Sequence, residues 1–148
     1  MKRICVSGGF DPLHVGHLEY FERAKSLGDY LIVIVNSDEF LLKKKGYIFM
    51  PIEDRIRIIK SLRIVDEVVE CIDKDQTVTE TLKQIRPDVF VNGGDAIPVE
   101  SEVKACESIG CKTIYNICPA IRSSSKLINR ILLQRYDYCD FERQDFAI

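Results

Sequence analysis

Along this chain, short unbroken apolar runs alternate with longer segments in which apolar positions recur every three or four residues. Ile4 to Val6 is the first run. It ends at Ser7-Gly8-Gly9, which predicts a strand and a tight turn. From Gly16, the residues Leu18, Phe21, Ala24 and Leu27 follow helical spacing, and Gly28 marks the stop. YLIVIVN, residues 30 to 36, is branched and apolar without alternation, the pattern of a strand buried on both faces. SDEFLLKKKGYIFMP, residues 37 to 51, combines a short helical stretch with a basic loop. Glu53 to Leu62 is a predicted helix with Ile56, Ile59 and Leu62 on one face, and VDEVVECI, residues 65 to 72, is a third strand. A helix over Thr77 to Ile85 stops before Pro87. DVFVNGGD, residues 88 to 95, is a fourth strand running into a glycine turn. A helix over Val99 to Ile109 is capped by Gly110, and KTIYNI, residues 112 to 117, is a fifth strand. The last helix, Ser123 to Arg135, carries Leu127, Ile128, Ile131 and Leu132 as its stripe.

Strands alternating with helices predict an α/β fold: a Rossmann-like, doubly wound, parallel five-stranded sheet with helices on both faces. Ligands of such sheets bind beyond the carboxyl ends of the strands, where the strand order reverses. The loops to search are 7–17, 36–50, 92–98 and 118–125. The domain is expected over residues 1–135. Residues 136–148, YCDFERQDFAI and the two before it, show no period and form a tail of unknown role, a loose end or a docking segment.

Composition narrows the classes. The chain has 148 residues, 46% hydrophobic and 30% charged, as one ordinary globular core requires. A formal net charge of −2 gives no global attraction to nucleic acid or membrane, so an anion site must be a local cluster. No apolar run approaches the ~20 residues of a membrane span, and the N-terminus is too short in apolar residues for a signal peptide. A cytoplasmic protein is expected. The six cysteines, Cys5, Cys71, Cys106, Cys111, Cys118 and Cys139, have irregular spacing, so they are read as reduced and mostly buried rather than as a zinc site.

The chemistry concentrates in GGFDPLHVGH, residues 8 to 17, which contains both histidines of the protein. Glycines let a backbone approach a ligand, and a helix start offers free amides and positive partial charge, which together suit a phosphate. The loop is neither a Walker loop nor a G-x-G-x-x-G loop. Instead it sets His14 and His17 three apart, on one face of a helix, where both rings can reach one anion. Asp11 is ambiguous between capping a turn and touching a ligand. No residue pattern supports a covalent nucleophile.

This stretch resembles the G-x-F-D-x-x-H-x-G-H signature of the nucleotidyltransferase superfamily, cytidylyltransferase-like branch, and the resemblance runs to about Arg130. Within the branch it is similar to the glycerol-3-phosphate cytidylyltransferases and to the nucleotidyltransferase domains of bifunctional heptose-phosphate enzymes. ERAKSLGDYLIVIVNSDEF and RIVDEVVE resemble both, whereas VNGGD and RSSSKLI are closer to the heptose type. The resemblance implies transfer of CMP from CTP to a phosphorylated alcohol or sugar, with release of pyrophosphate. An adenylyltransferase using ATP on a sugar phosphate and an inactive nucleotide-binding regulatory paralogue are the alternatives. It implies His14, His17, Lys44 and Arg122 as catalytic residues, with Lys43 and Lys45 as near alternatives to Lys44. Gly8, Gly9, Phe10, Arg55, Arg63, Asn92, Gly93, Ser123 and Ser124 would join the histidines and Arg122 around the nucleotide. Asp11, Asp38, Lys44 and Asp95 would face the acceptor. Mg²⁺ arriving with the triphosphate, and often a homodimer, are implied as well; neither nucleic acid nor membrane is. The sequence departs from the glycerol-phosphate enzymes after Asp95, where Ala96-Ile97-Pro98 follows, and before the serines, where CPAI stands. Both departures fall on the acceptor side.

Overall fold

Residues 4, 5 and 6 show in miniature how the molecule is layered. In the computed structural model, Ile4 and Val6 belong to one apolar cluster and Cys5 to another on the opposite side of the sheet. The structure describes residues 1–94 and 96–145, with side chains described as far as residue 134. Five strands, β1 (Arg3–Gly8), β2 (Tyr30–Val35), β3 (Glu67–Glu70), β4 (Val89–Val91) and β5 (Lys112–Ile114), form one parallel sheet in the order β3-β2-β1-β4-β5. β1 is central. The chain winds outward from it in one direction through β2 and β3, then in the other through β4 and β5. The switch point therefore lies beyond Gly8.

Helices α1 (Val15–Lys25) and α3 (Ile52–Lys60) cover the first face, packing Phe21, Ala24 and Ile59 on Ile4, Val6, Val33 and Val91. Helices α4 (Thr79–Ile85) and α5 (Glu100–Ser108) cover the second, placing Leu82 and Cys106 against Cys5, Ile32 and Phe90. Burial on both faces explains why β2 reads as an unbroken apolar run. The five described cysteines are free and buried, as small apolar residues; Cys139 lies outside the described side chains. Among the described residues no helix is long and apolar enough to cross a membrane.

Several elements differ in extent from the pattern-based expectation. β3 and β5 are the edges of the sheet, and they stop at Glu70 and Ile114, opposite Val35 and Val91, where their single neighbours β2 and β4 end. α4 begins at Thr79 rather than Thr77. Asp73 accepts from the Glu80 and Thr81 amides at 2.7 and 3.0 Å, which fixes the helix start two residues later. The basic stretch is not a loop: α2 (Asp38–Lys45) is capped by Ser37, whose Oγ accepts from the Phe40 amide at 3.1 Å, and ends at Gly46 with φ 79°. Lys43, Lys44 and Lys45 thus sit on its last turn, where cations meet the negative end of the helix dipole. α6 (Ser124–Asp145) runs past Arg135, through most of the segment read as a tail.

Candidate active site

The first loop is built so that two imidazoles cap one helix. Phe10 is buried with φ 52°, and its ring meets the edges of His17 and Phe21 at 5.0 and 5.1 Å. His14 is the N-cap residue of α1 in extended conformation. Its Nδ1 accepts from the Gly16 amide at 3.1 Å, and His17 Nδ1 accepts from the His14 amide at 3.2 Å. The rings stack with centroids 3.7 Å apart and planes 18° apart. A Cβ on Gly16 would stand 2.9 Å from His14 Cε1, so the ring can fold back only over glycine. The spacing H-x-G-H follows from this packing.

The backbone bonds also settle the tautomers. Each Nδ1 is an acceptor, so each neutral ring carries its proton on Nε2. Both rings are neutral at pH 7. Burial lowers the pKa of His14, helped by the nearby Arg122 charge. Burial and the adjacent His14 push His17 down to about 3. The pair therefore offers two Nε2–H donors without the repulsion of two cations 3.7 Å apart.

Two chambers meet at these rings. The first, about 290 Å³, opens toward the ends of β4 and β5, among Asn92, Gly93, Gly94, Ala96 and the 118–122 loop. The Gly94 amide donates to the Cys118 carbonyl at 3.0 Å and ties the two loops together. The second, about 580 Å³, opens toward the end of β2, among Asn36, Leu41, Lys45 and Ser123 to Ser125. His14, His17, Lys44 and Arg122 line both. The start of α6 is anchored over the first loop: Ser124 Oγ donates to the Pro12 carbonyl at 2.8 Å, and Ser125 Oγ lies 3.3 Å from the Tyr47 hydroxyl.

Of the residues predicted from sequence, His14, His17, Lys44 and Arg122 are brought together, with Gly8, Gly9, Phe10, Asn92, Gly93, Ser123 and Ser124 around them. Lys43 instead pairs with Glu39 at 3.0 Å on the outside of α2. Lys45 lies 3.2 Å from Asp11 Oδ2, donates to the Asp11 carbonyl at 2.8 Å, and covers the Tyr47 ring. Asp11 borders the second chamber, but its carboxylate is 1% exposed and accepts from the Phe49 and Met50 amides at 2.7 and 2.6 Å. It holds the 47–50 loop.

Arg55 lines neither chamber. It is 1% exposed; Nη1 donates to the Gly9 and Asn36 carbonyls, each at 2.8 Å, Nε to the Met50 carbonyl at 3.0 Å, and Nη2 to Asp38 Oδ1 at 2.6 Å. Its place is beneath the loops, with Asp38 as its partner rather than a substrate. Arg63 is exposed in the segment before β3 and borders neither chamber. Asp95 lies outside the described residues. Asn36 and Tyr20 were missed. Asn36 carried a legible signal, a polar residue closing an apolar run; Tyr20, whose hydroxyl donates to the Val91 carbonyl and whose ring backs Gly93, reads in sequence as core.

Known proteins share this arrangement at the level of chain and fold. Over 136 residues the chain is 38% identical to an FAD synthase of Pyrococcus abyssi, covering 87% of this chain and 91% of that one. It is 41% identical over 95 residues to the glycerol-3-phosphate cytidylyltransferase of Bacillus subtilis, covering 64% and 73%. It is 45% identical over 132 residues to the bifunctional protein HldE of a Nitratiruptor species, 82% of this chain but 28% of that longer one. A solved lipopolysaccharide core biosynthesis protein from Thermoplasma volcanium superimposes with a TM-score of 0.69 at 30% identity, over 78% of this chain and 96% of that one. The model of the cytidylyltransferase-like family matches residues 5–130, and with the stacked His14 and His17 at the switch point of its sheet, the chain belongs to that family of nucleotidyltransferases.

Proposed function

We propose that this protein transfers a cytidylyl group from CTP to a small phosphorylated alcohol or sugar, releasing pyrophosphate. The observation that carries the reading is the pair of neutral imidazoles aiming Nε2–H donors at the junction of two chambers, with Lys44 and Arg122 beside them. The nucleoside occupies the chamber under β4 and β5, with its α-phosphorus at the junction and its outer phosphates reaching past it to Ser123, Ser124 and Ser125 on the rim of the β2-side chamber. The acceptor phosphate enters from the β2 side. Its oxygen is already ionised, so the reaction needs alignment and charge neutralisation more than a base. The acceptor oxygen bonds to the α-phosphorus as the bond to the bridging oxygen of pyrophosphate breaks. His14 and His17 donate to the α-phosphoryl oxygens as charge develops there. The amides of Ser124 and Ser125 at the start of α6, and the Ser123 hydroxyl, meet the outer phosphates.

Among the described residues no three carboxylates, histidines or cysteines stand together to hold a metal. Mg²⁺ delivered with the triphosphate would supply charge neutralisation at its oxygens. A homodimer in the cytoplasm completes the proposal. The relatives named FAD synthase, one aligned over 87% of this chain, favour a second reading with ATP as donor on the same junction. The experiment is pyrophosphate release from CTP and from ATP, with Mg²⁺, against a panel of phosphorylated alcohols, amines and sugars. CTP should support the faster turnover. Faster turnover with ATP across the panel selects the second reading, and no release with either nucleotide rejects transfer.

A further inference from the structure

Tyr20 and Phe21 are neighbours on α1, and both are buried. Phe21 packs into the apolar cluster over the sheet and against Phe10. Tyr20 carries a hydroxyl into the same cluster, which costs free energy unless the hydroxyl is paired. It donates to the carbonyl of Val91, the last residue of β4. Val91 stands opposite Val6; past that pair the β1–β4 ladder ends, while β1 continues along β2 through Ser7 and Gly8. The hydroxyl therefore stands where the sheet splits, beside the first chamber, which Ser7, Gly8, Tyr20 and Gly93 all border. The ring supports the turn after β4: a Cβ on Gly93 would lie 3.0, 3.2 and 3.3 Å from three of its atoms. Burial pushes the Tyr20 pKa up, so the hydroxyl remains a neutral donor and takes no part in proton transfer.

Tyr20 joins two parts of the site that the reaction must keep in register. It follows His17 by three residues, so the two side chains leave the same face of α1. Apolar packing holds α1 on the sheet without direction, whereas a hydrogen bond fixes distance and angle. Among the described residues, α1 side chains make two directed contacts toward β4 and β5: the buried Tyr20 bond, and an exposed one from Arg23 Nη1 to the Ile117 carbonyl at 3.3 Å. We propose that Tyr20 is a positioning residue: its hydroxyl sets α1, and with it the imidazoles, against the end of β4, and its ring sets the Gly93 turn beside the nucleoside, so that the α-phosphorus meets both Nε2–H donors. This rests on the assignment of the first chamber to the nucleoside. Tyr20 acts through His17 and Gly93 and touches no reacting atom.

The test separates the hydroxyl from the ring, and positioning from mere support of the fold. Pyrophosphate release is followed in the wild type, Tyr20→Phe, Tyr20→Leu, His17→Asn and the double variant Tyr20→Phe with His17→Asn, using the nucleotide and acceptor that the wild type turns over fastest. Small misplacements away from the chemistry are costly, so Tyr20→Phe should lower kcat about tenfold while the nucleotide KM stays within about twofold. Tyr20→Leu also withdraws the ring from Gly93 and should raise the nucleotide KM about fivefold or more besides. In the His17→Asn background, Tyr20→Phe should change kcat by less than about twofold, because the group it positions is already gone. Wild-type kcat in Tyr20→Phe overturns the proposal. So does a loss of the same size in both backgrounds, which marks a structural role. If the wild type releases pyrophosphate with neither nucleotide, the transfer reading fails by itself, and Tyr20 is judged by nitrogen NMR of the imidazoles during titration with CTP. CTP should shift the Nε2 resonances of His14 and His17 in the wild type, and in Tyr20→Phe those shifts should fall by about half or more at unchanged CTP affinity. Equal shifts in the two proteins, or none in the wild type, overturn the proposal.

Discussion

Lys44 and Lys45 are neighbours in sequence, on one helix turn, and they belong to different machines. Lys45 is joined to Asp11 and packed on Tyr47, part of a network that continues through Arg55 and Asp38 beneath the loops. Lys44 borders both chambers and forms no ion pair among the described residues, in the company of His14, His17 and Arg122. One set of charges is satisfied by the protein itself. The other has no carboxylate partner among the described residues and stands open at the two chambers. The satisfied set fixes the geometry of the unsatisfied one: Arg55 grips the Gly9 and Asn36 carbonyls at the ends of β1 and β2, and Asp11 holds the 47–50 loop. Stability is carried by one set, and the proposed function assigns catalysis to residues of the same type a few ångströms away. They are distinguished by what their polar atoms already touch.

The sharpest way to break this comparison is at Arg55. Removing one partner of a buried, multiply bonded pair leaves Asp38 and three carbonyls without their donor. Arg55→Ala should lower the unfolding free energy by about 3–5 kcal/mol, read from urea denaturation. Unchanged stability combined with lost triphosphate affinity would move Arg55 from the supporting set to the ligand-binding set.

Next in size are the imidazoles. His14→Ala and His17→Ala should each reduce turnover a hundredfold or more, since one donor aimed at developing charge is worth about 3–4 kcal/mol. Both rings also cap α1 through Nδ1, so a part of each variant's loss is structural. His17→Asn, which retains a hydrogen-bonding side chain, separates the two: a recovered melting temperature without recovered turnover assigns the loss to the Nε2–H donor. Near-normal turnover in either alanine variant would remove the histidines from the mechanism.

The adjacent lysines give a smaller and more specific contrast. Lys44→Ala should lower kcat/KM about tenfold or more and leave the melting temperature within a degree or two. Lys45→Ala should lower the melting temperature, because the Asp11 carboxylate is left buried without its cation. Equal effects of the two substitutions on kcat/KM, with neither changing stability, would dissolve the distinction.

This contrast also marks what the sequence made legible. The sheet was legible because burial on both faces writes β2 as an unbroken apolar run, and winding in two directions follows from alternating strands and helices. The first loop was legible because a ring folded over Gly16 demands glycine at one position between two histidines. The edge strands were overextended, since apolar character continues past the last residue that has a neighbour to pair with. Arg55 and Asp38 read as ligand contacts because a sequence lists charges without their partners; the carbonyls that occupy Arg55 come from residues 9, 36 and 50, distant in the chain. Tyr20 was passed over for the same reason: nothing in a sequence shows which carbonyl a hydroxyl on a core face meets.

The last test probes the unsatisfied set through its protons. His17 titrates near pH 3 in the folded protein because it is buried beside His14, whereas an unfolded chain holds histidine near 6.5. Below about pH 6.5 the unfolded state therefore binds more protons than the folded one. This contribution to stability is complete above that value and is lost progressively as pH falls toward 3. The wild type should lose melting temperature over that window more steeply than His17→Asn, and the difference between the two curves isolates the ring from the carboxylates that titrate in the same range. A bound triphosphate acts in the opposite direction. Its charge beside the rings favours their protonated forms and raises both pKa values toward the ordinary range. Binding should then take up protons below about pH 6.5, and triphosphate affinity should rise as pH falls through that range, once the proton taken up by the nucleotide itself is subtracted. Calorimetry in two buffers of different ionisation enthalpy measures the uptake directly. An uptake of the same size in wild type and in a variant carrying both His14→Asn and His17→Asn would mean that the triphosphate does not reach the rings, and the two chambers would have to be assigned to other ligands.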